Sequence, residues 1–153
     1  MPFPTSLRRV YIDSSVWIAV LTNEPSSETL TQWLATENGQ LMTSFWTQTE
    51  LASALGIKAR RKELTQEQVT HILQEFFVWV QDDVEMLPAN EADFALATHL
   101  CARIESGIRA GDALHLAIAH HHGATHIASL DLNMNRNAVP LGLQLFDRYS
   151  KIL

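Results

Sequence analysis

Short apolar runs and longer stretches of helical spacing take turns along this chain. Residues 8–12, Arg-Arg-Val-Tyr-Ile, read as a strand, and Asp13 follows at once. Residues 14–21 read as a first helix, broken by Asn23-Glu24-Pro25, and residues 26–36 as a second, closed by Asn38-Gly39. A second strand spans 40–43. The longer helix over 45–61 places Leu51, Ala54 and Leu55 on one face. Thr65-Gln66-Glu67-Gln68 has the form of a capping box and opens a helix to Val80. Residues 84–87 make a strand stopped by Pro88, and Asn90 caps a helix that Gly107 ends. A last helix over 111–122 is closed by Gly123, and residues 126–129 and 142–146 supply two more strands.

Strands alternating with helices predict an α/β fold: a central, mostly parallel sheet of four or five strands, flanked by helices as a three-layer sandwich. The 153 residues fit one domain covering 1–153. A chain of this size buries about two-thirds of its unfolded surface and needs no disulfide. No apolar run approaches the roughly 20 residues of a membrane span. Residues 1–9 lack the apolar core of a signal peptide, and a cytoplasmic location is expected. The single cysteine, Cys101, lies in an apolar-rich run and is expected to be buried and inert.

Net charge changes the picture. At −6 the chain is acidic, which opposes binding to nucleic acid through an overall field. Any such partner requires local positive charge or a bound cation.

Asp13, Glu50, Asp112 and Asp131 form the candidate chemistry. Each also has a plainer role. Asp13 can cap the following helix, Glu50 can close a capping box with Thr47, Asp112 suits a helix N-terminus, and Asp131 suits a turn. Taken together, two acids end strands and two lie in early helical turns, so all four can meet at one edge of the sheet. Clustered carboxylates repel unless a cation neutralises them. Mg²⁺ or Mn²⁺ suits oxygen ligands and the hydrolysis of phosphodiesters. Asp13 as the nucleophile of a phosphohydrolase is disfavoured, because Ser15 stands where that chemistry usually has a second Asp. No Gly-rich phosphate loop follows the first strand.

The same segments resemble the PIN domain family of nucleases, and within it the VapC-type toxins of prokaryotic toxin–antitoxin pairs. Val10-Tyr11-Ile12-Asp13-Ser14-Ser15-Val16 is similar to the opening strand and acid, and Thr49-Glu50-Leu51 to the helical Glu. Gly111-Asp112-Ala113-Leu114-His115-Leu116-Ala117 is similar to the third acidic motif, and Ser129-Leu130-Asp131 to the fourth. The resemblance implies a PIN-like, Rossmann-like sheet and a divalent-metal-dependent endoribonuclease using Mg²⁺ or Mn²⁺. It also implies a homodimer and a cognate antitoxin, with DNA reached only through that antitoxin. Asp13, Asp112 and Asp131 would be metal ligands, Glu50 would bind a second ion or orient water, and Ser14 and Ser129 would support them. Residues 132–136 carry amides where many relatives place a further acid. The alternative reading is an inactive interaction module of the same fold.

Three features stand outside that set. His120-His121-His122 reads as a solvated helix end, since consecutive helical side chains point about 100° apart. His115 shares a helix face with Asp112 and reads as a packing histidine, with an active-site role as the alternative. Lys58, Arg60, Arg61 and Lys62 close the helix that carries Glu50; a solvated end is the default and an RNA phosphate anchor the alternative.

Overall fold

Side chains alternate between the two faces of each short strand, and this alternation divides the core in two. The computed structural model describes residues 7–146, so most of the N-terminal segment read for a signal peptide lies outside the described residues. Strands β1 (Arg9–Ile12), β2 (Gln40–Ser44), β3 (Val84–Leu87), β4 (His126–Ala128) and β5 (Gln144–Leu145) form one sheet in the order β3-β2-β1-β4-β5. Every pairing is parallel. On β1, Val10 and Ile12 enter one buried cluster while Tyr11 enters the other. Helices α1 (Ser14–Leu21), α2 (Ser27–Thr36), α3 (Phe45–Arg60) and α4 (Gln66–Asp82) cover the first face. Helices α5 (Glu91–Ala102), α6 (Ala110–His121) and α7 (Leu132–Ala138) cover the second. The three-layer α/β sandwich read from the sequence is the observed architecture.

The chain first winds from β1 to β2 and β3, then returns to add β4 and β5 on the other side. Strand order therefore reverses at β1, and the rule for open α/β sheets puts the ligand crevice beyond the carboxyl ends of β1 and β4. Asp13 and Asp131 follow those two strands.

Four details differ from the sequence reading. The fifth helix stops at Ala102, short of Gly107. Beyond it Ser106 Oγ donates to the carbonyls of Leu100 and Arg103, both at 2.8 Å, inside a short turn. Cys101 is exposed, because the buried face of α5 runs through Asp93, Ala97 and Leu100. Thr47 does not cap α3: Ser44 does, accepting the Thr47 N–H at 3.2 Å. Helix α7 was not anticipated, since Asn133, Asn135 and Asn137 are weak helix formers. Each of these amides donates to a carbonyl: Asn133 to Gly107 at 2.9 Å, Asn135 to Ser129 at 3.0 Å and Asn137 to Ser106 at 3.0 Å. Tertiary hydrogen bonds thus outweigh local propensity.

Candidate active site

Asp13 is built into the turn between β1 and α1. Its Oδ1 accepts the Val16 N–H at 3.1 Å and so caps the helix. The same oxygen accepts the Ser15 hydroxyl at 2.6 Å, and Ser129 also hydrogen-bonds to this carboxylate. The side chain is buried, which pushes its pKa up; His115 and hydrogen bonds from Ser129, Ser15 and the Val16 N–H pull it back.

Two serines tie this acid to the turn after β4. Ser15 Oγ accepts the Leu130 N–H at 2.9 Å, and Ser129 Oγ accepts the Asp131 N–H at 3.0 Å. Asp131 itself caps α7 through the Met134 N–H at 2.8 Å and stays exposed. Ser14, named with Ser129 in the sequence reading, is the half-buried first residue of α1, and its neighbour Ser15 makes the contact to Asp13. A hydroxyl two residues beyond a strand-ending Asp is a local signal that could have singled out Ser15.

Glu50 and Asp112 approach from helices on opposite faces of the sheet. Glu50, in α3, has Oε1 2.5 Å from His115 Nε2 of α6. Gly111 precedes Asp112, and its carbonyl accepts the Trp46 indole N–H at 3.2 Å. A Cβ at Gly111 would lie 3.4 Å from the Trp46 ring and 3.5 Å from Glu50 Oε2, an ordinary packing distance at this contact between α6 and α3. Asp112 is half-buried, and its pKa rises to about 6. Burial is the main cause, and Asp131, Glu50 and Asp13 add to it, opposed by His115. That list of neighbours places the four acids in one electrostatic cluster. Among the described residues, no Lys or Arg forms an ion pair with any of them.

His115 and Tyr11 were not part of the predicted constellation. His115 is fully buried, and its Nδ1 lies 2.8 Å from the Tyr11 hydroxyl. The signal was present: His115 is the one polar side chain in the buried run 113–119 of α6. A buried tyrosine hydroxyl likewise requires a partner. Burial pushes the Tyr11 pKa further upward from its ordinary value.

The remaining features fall away from the crevice. Lys58 pairs with Glu24 and Glu63 at 4.0 and 3.5 Å, and Arg60, Arg61 and Lys62 are exposed at the far end of α3. His121 Nδ1 meets the buried Asp93 at 2.6 Å, joining the end of α6 to the start of α5.

Solved structures share this fold. VapC20 of Mycobacterium tuberculosis, described as a sarcin-ricin loop cleaving toxin, superimposes with a TM-score of 0.68 at 16% identity; the match covers 84% of this chain and 94% of that one. FitAcB from Neisseria gonorrhoeae gives 0.65 at 18% identity over 92% and 98%. VapBC2 from Rickettsia felis, solved with a DNA fragment from its promoter, gives 0.64 at 17% over 90% and 97%. No curated protein sequence matches this chain at a significant level. The PIN domain model matches residues 10–140, most of the chain, and each of the four acidic segments lies within it. The chain belongs to the PIN domain family.

Proposed function

We propose that this protein is a divalent-metal-dependent endoribonuclease, the toxin of a VapBC-type toxin–antitoxin pair. The observation that carries this reading is the meeting of Asp13, Glu50, Asp112 and Asp131 at the crevice beyond β1 and β4, with no Lys or Arg among the described residues paired to them. The structural likeness to VapC20, a toxin that cleaves the sarcin-ricin loop, and to VapBC2 supports it. The same likeness supports an RNA substrate and a cognate antitoxin that contacts DNA as partners; a second copy of the chain and a cytoplasmic setting complete the proposal. Among the described residues no helix is long and apolar enough to cross a membrane.

The donor set fits a hard divalent cation. All four side chains offer carboxylate oxygens, and mutual repulsion already raises the Asp112 pKa. Among the described residues no three His, Cys, Asp or Glu side chains form a ready-made cage. An ion such as Mg²⁺, which keeps several of its waters, needs only a few direct protein ligands. Asp13, Asp112 and Asp131 would hold it, directly or through water, and bound there it would supply positive charge against the carboxylates and the substrate phosphate. Glu50 faces the same crevice and can accept a proton from an attacking water. Ser15 and Ser129 keep Asp13 and Asp131 in register.

Incubating a mixed RNA pool with the protein and Mn²⁺ tests the proposal, with Asp112→Asn as control. Cleavage is expected from the wild type alone. Equal degradation by both would mean that the proposed site is wrong, and degradation by neither would leave a non-catalytic module of this fold.

A further inference from the structure

A polar thread runs through the apolar interior beneath the crevice. His115 sits in a run of α6 whose other members, from Ala113 to Ala119, are apolar and buried. A buried imidazole without partners is costly, and here each ring nitrogen has one. Nδ1 lies 2.8 Å from the Tyr11 hydroxyl and Nε2 lies 2.5 Å from Glu50 Oε1. Behind them the Tyr11 oxygen is 2.7 Å from Ser44 Oγ, which also accepts the Thr47 N–H at 3.2 Å.

Donors and acceptors order themselves from the carboxylate end. An ionised Glu50 only accepts, so Nε2 carries the proton. Nδ1 meets the Tyr11 hydroxyl, accepting its O–H when the ring is neutral and donating to its oxygen when the ring is charged. The Tyr11 and Ser44 hydroxyls then bond to each other, either oxygen being able to donate. Each donor faces an acceptor, and the ring cannot turn over without breaking bonds on both sides.

Glu50 needs such a hold. Its side chain is 28% exposed and is repelled by Asp112, so an unrestrained carboxylate would swing toward solvent. We propose that Tyr11 and His115 are positioning residues for Glu50, fixing its carboxylate at the crevice through an imidazole whose proton stands on Nε2. The consequence for catalysis rests on the nuclease reading above; the placement of the ring proton does not.

Imidazole ¹⁵N NMR on the intact protein reads that placement directly. The His115 Nε2 signal is expected to show a bonded proton and to shift in Glu50→Gln. A lone pair at Nε2 would overturn the proposal, whatever the RNA assay shows. In steady-state cleavage, Tyr11→Phe is expected to lower kcat by about 10- to 100-fold while KM stays within about twofold, as for a group acting in the transition state alone. His115→Gln, which restores an N–H near Nε2, is expected to recover much of the activity that His115→Leu loses. Unchanged kcat in Tyr11→Phe would sink the idea. Tyr11→Phe removes a single oxygen, so it still decides the matter if His115→Leu does not fold. Absence of cleavage by the wild type would count against the nuclease reading and leave the NMR result standing.

Discussion

The two edges of the sheet treat charge in opposite ways. At the edge where β1 begins, Arg8 pairs with Glu37 at 3.1 Å. Arg9 reaches Gln40 and the His122 carbonyl, both at 2.9 Å, and lies 3.8 Å from Glu85. Each charge there has a complement. At the edge where β1 ends, four carboxylates gather, and His115 together with the Ser15 and Ser129 hydroxyls at Asp13 pulls the other way. Charge at the first edge closes the fold; charge at the second is held against its own repulsion, which is how binding and catalytic sites are commonly built.

Substituting at the acidic edge gives the largest expected effect. Asp13→Asn or Asp112→Asn should lower Mn²⁺-dependent RNA cleavage by about 100-fold or more, measured as initial rates on a labelled RNA. Retained cleavage in both would erase the functional distinction between the edges.

Next in size is the effect of the ion on stability. A ligand that binds only the folded state at about 100 times its Kd adds about 2.7 kcal/mol, roughly 5–10 °C in Tm for a domain of this size. Mn²⁺ should therefore raise the Tm, and Asp13→Asn or Asp131→Asn should shrink the increase. A rise that survives both substitutions would mean that the ion binds elsewhere.

Without the ion, the crowded edge should show itself in pH dependence. The Asp112 pKa is raised from 3.8 to about 6. A carboxyl with a raised pKa binds its proton more tightly in the fold than in the unfolded chain, so stability falls as pH rises through that window and stays lower above it. In EDTA at pH 8, Asp112→Asn should melt higher than the wild type. The gap is about 1 kcal/mol once solvent screening of a half-exposed group is allowed for, or roughly 2–4 °C. It should close toward pH 4, and a gap of the opposite sign would mean that neither burial nor the neighbouring acids disfavour the charge on Asp112.

The contrast between edges was only partly legible in the sequence. Strand periodicity and turn residues gave the layers, and the position of Asp13 and Asp131 after strands gave the acidic edge, because those signals are local. Cys101 was misjudged because an apolar run does not reveal which face of a helix turns inward. Helix α7 was hidden because its stability comes from amides bonded to distant carbonyls. The thread from Tyr11 to Glu50 escaped for the same reason: β1, α6 and α3 meet only once the sheet has wound.

The smallest effect belongs to the paired edge and completes the comparison. Arg8 is partly exposed, with about a third of its side-chain surface open (34%), so its pair with Glu37 is weakened by solvent and worth at most about 1 kcal/mol. Glu37 keeps two other donors, the Trp33 indole N–H at 2.8 Å and the Gly39 N–H at 3.1 Å, so losing Arg8 leaves no stranded carboxylate. Arg8→Gln should therefore lower the Tm by no more than about 4 °C, a loss that shrinks in high salt, and leave RNA cleavage at the wild-type rate. If it reduced cleavage as Asp13→Asn does, charge at both edges would serve the reaction, and the division of labour between them would fail.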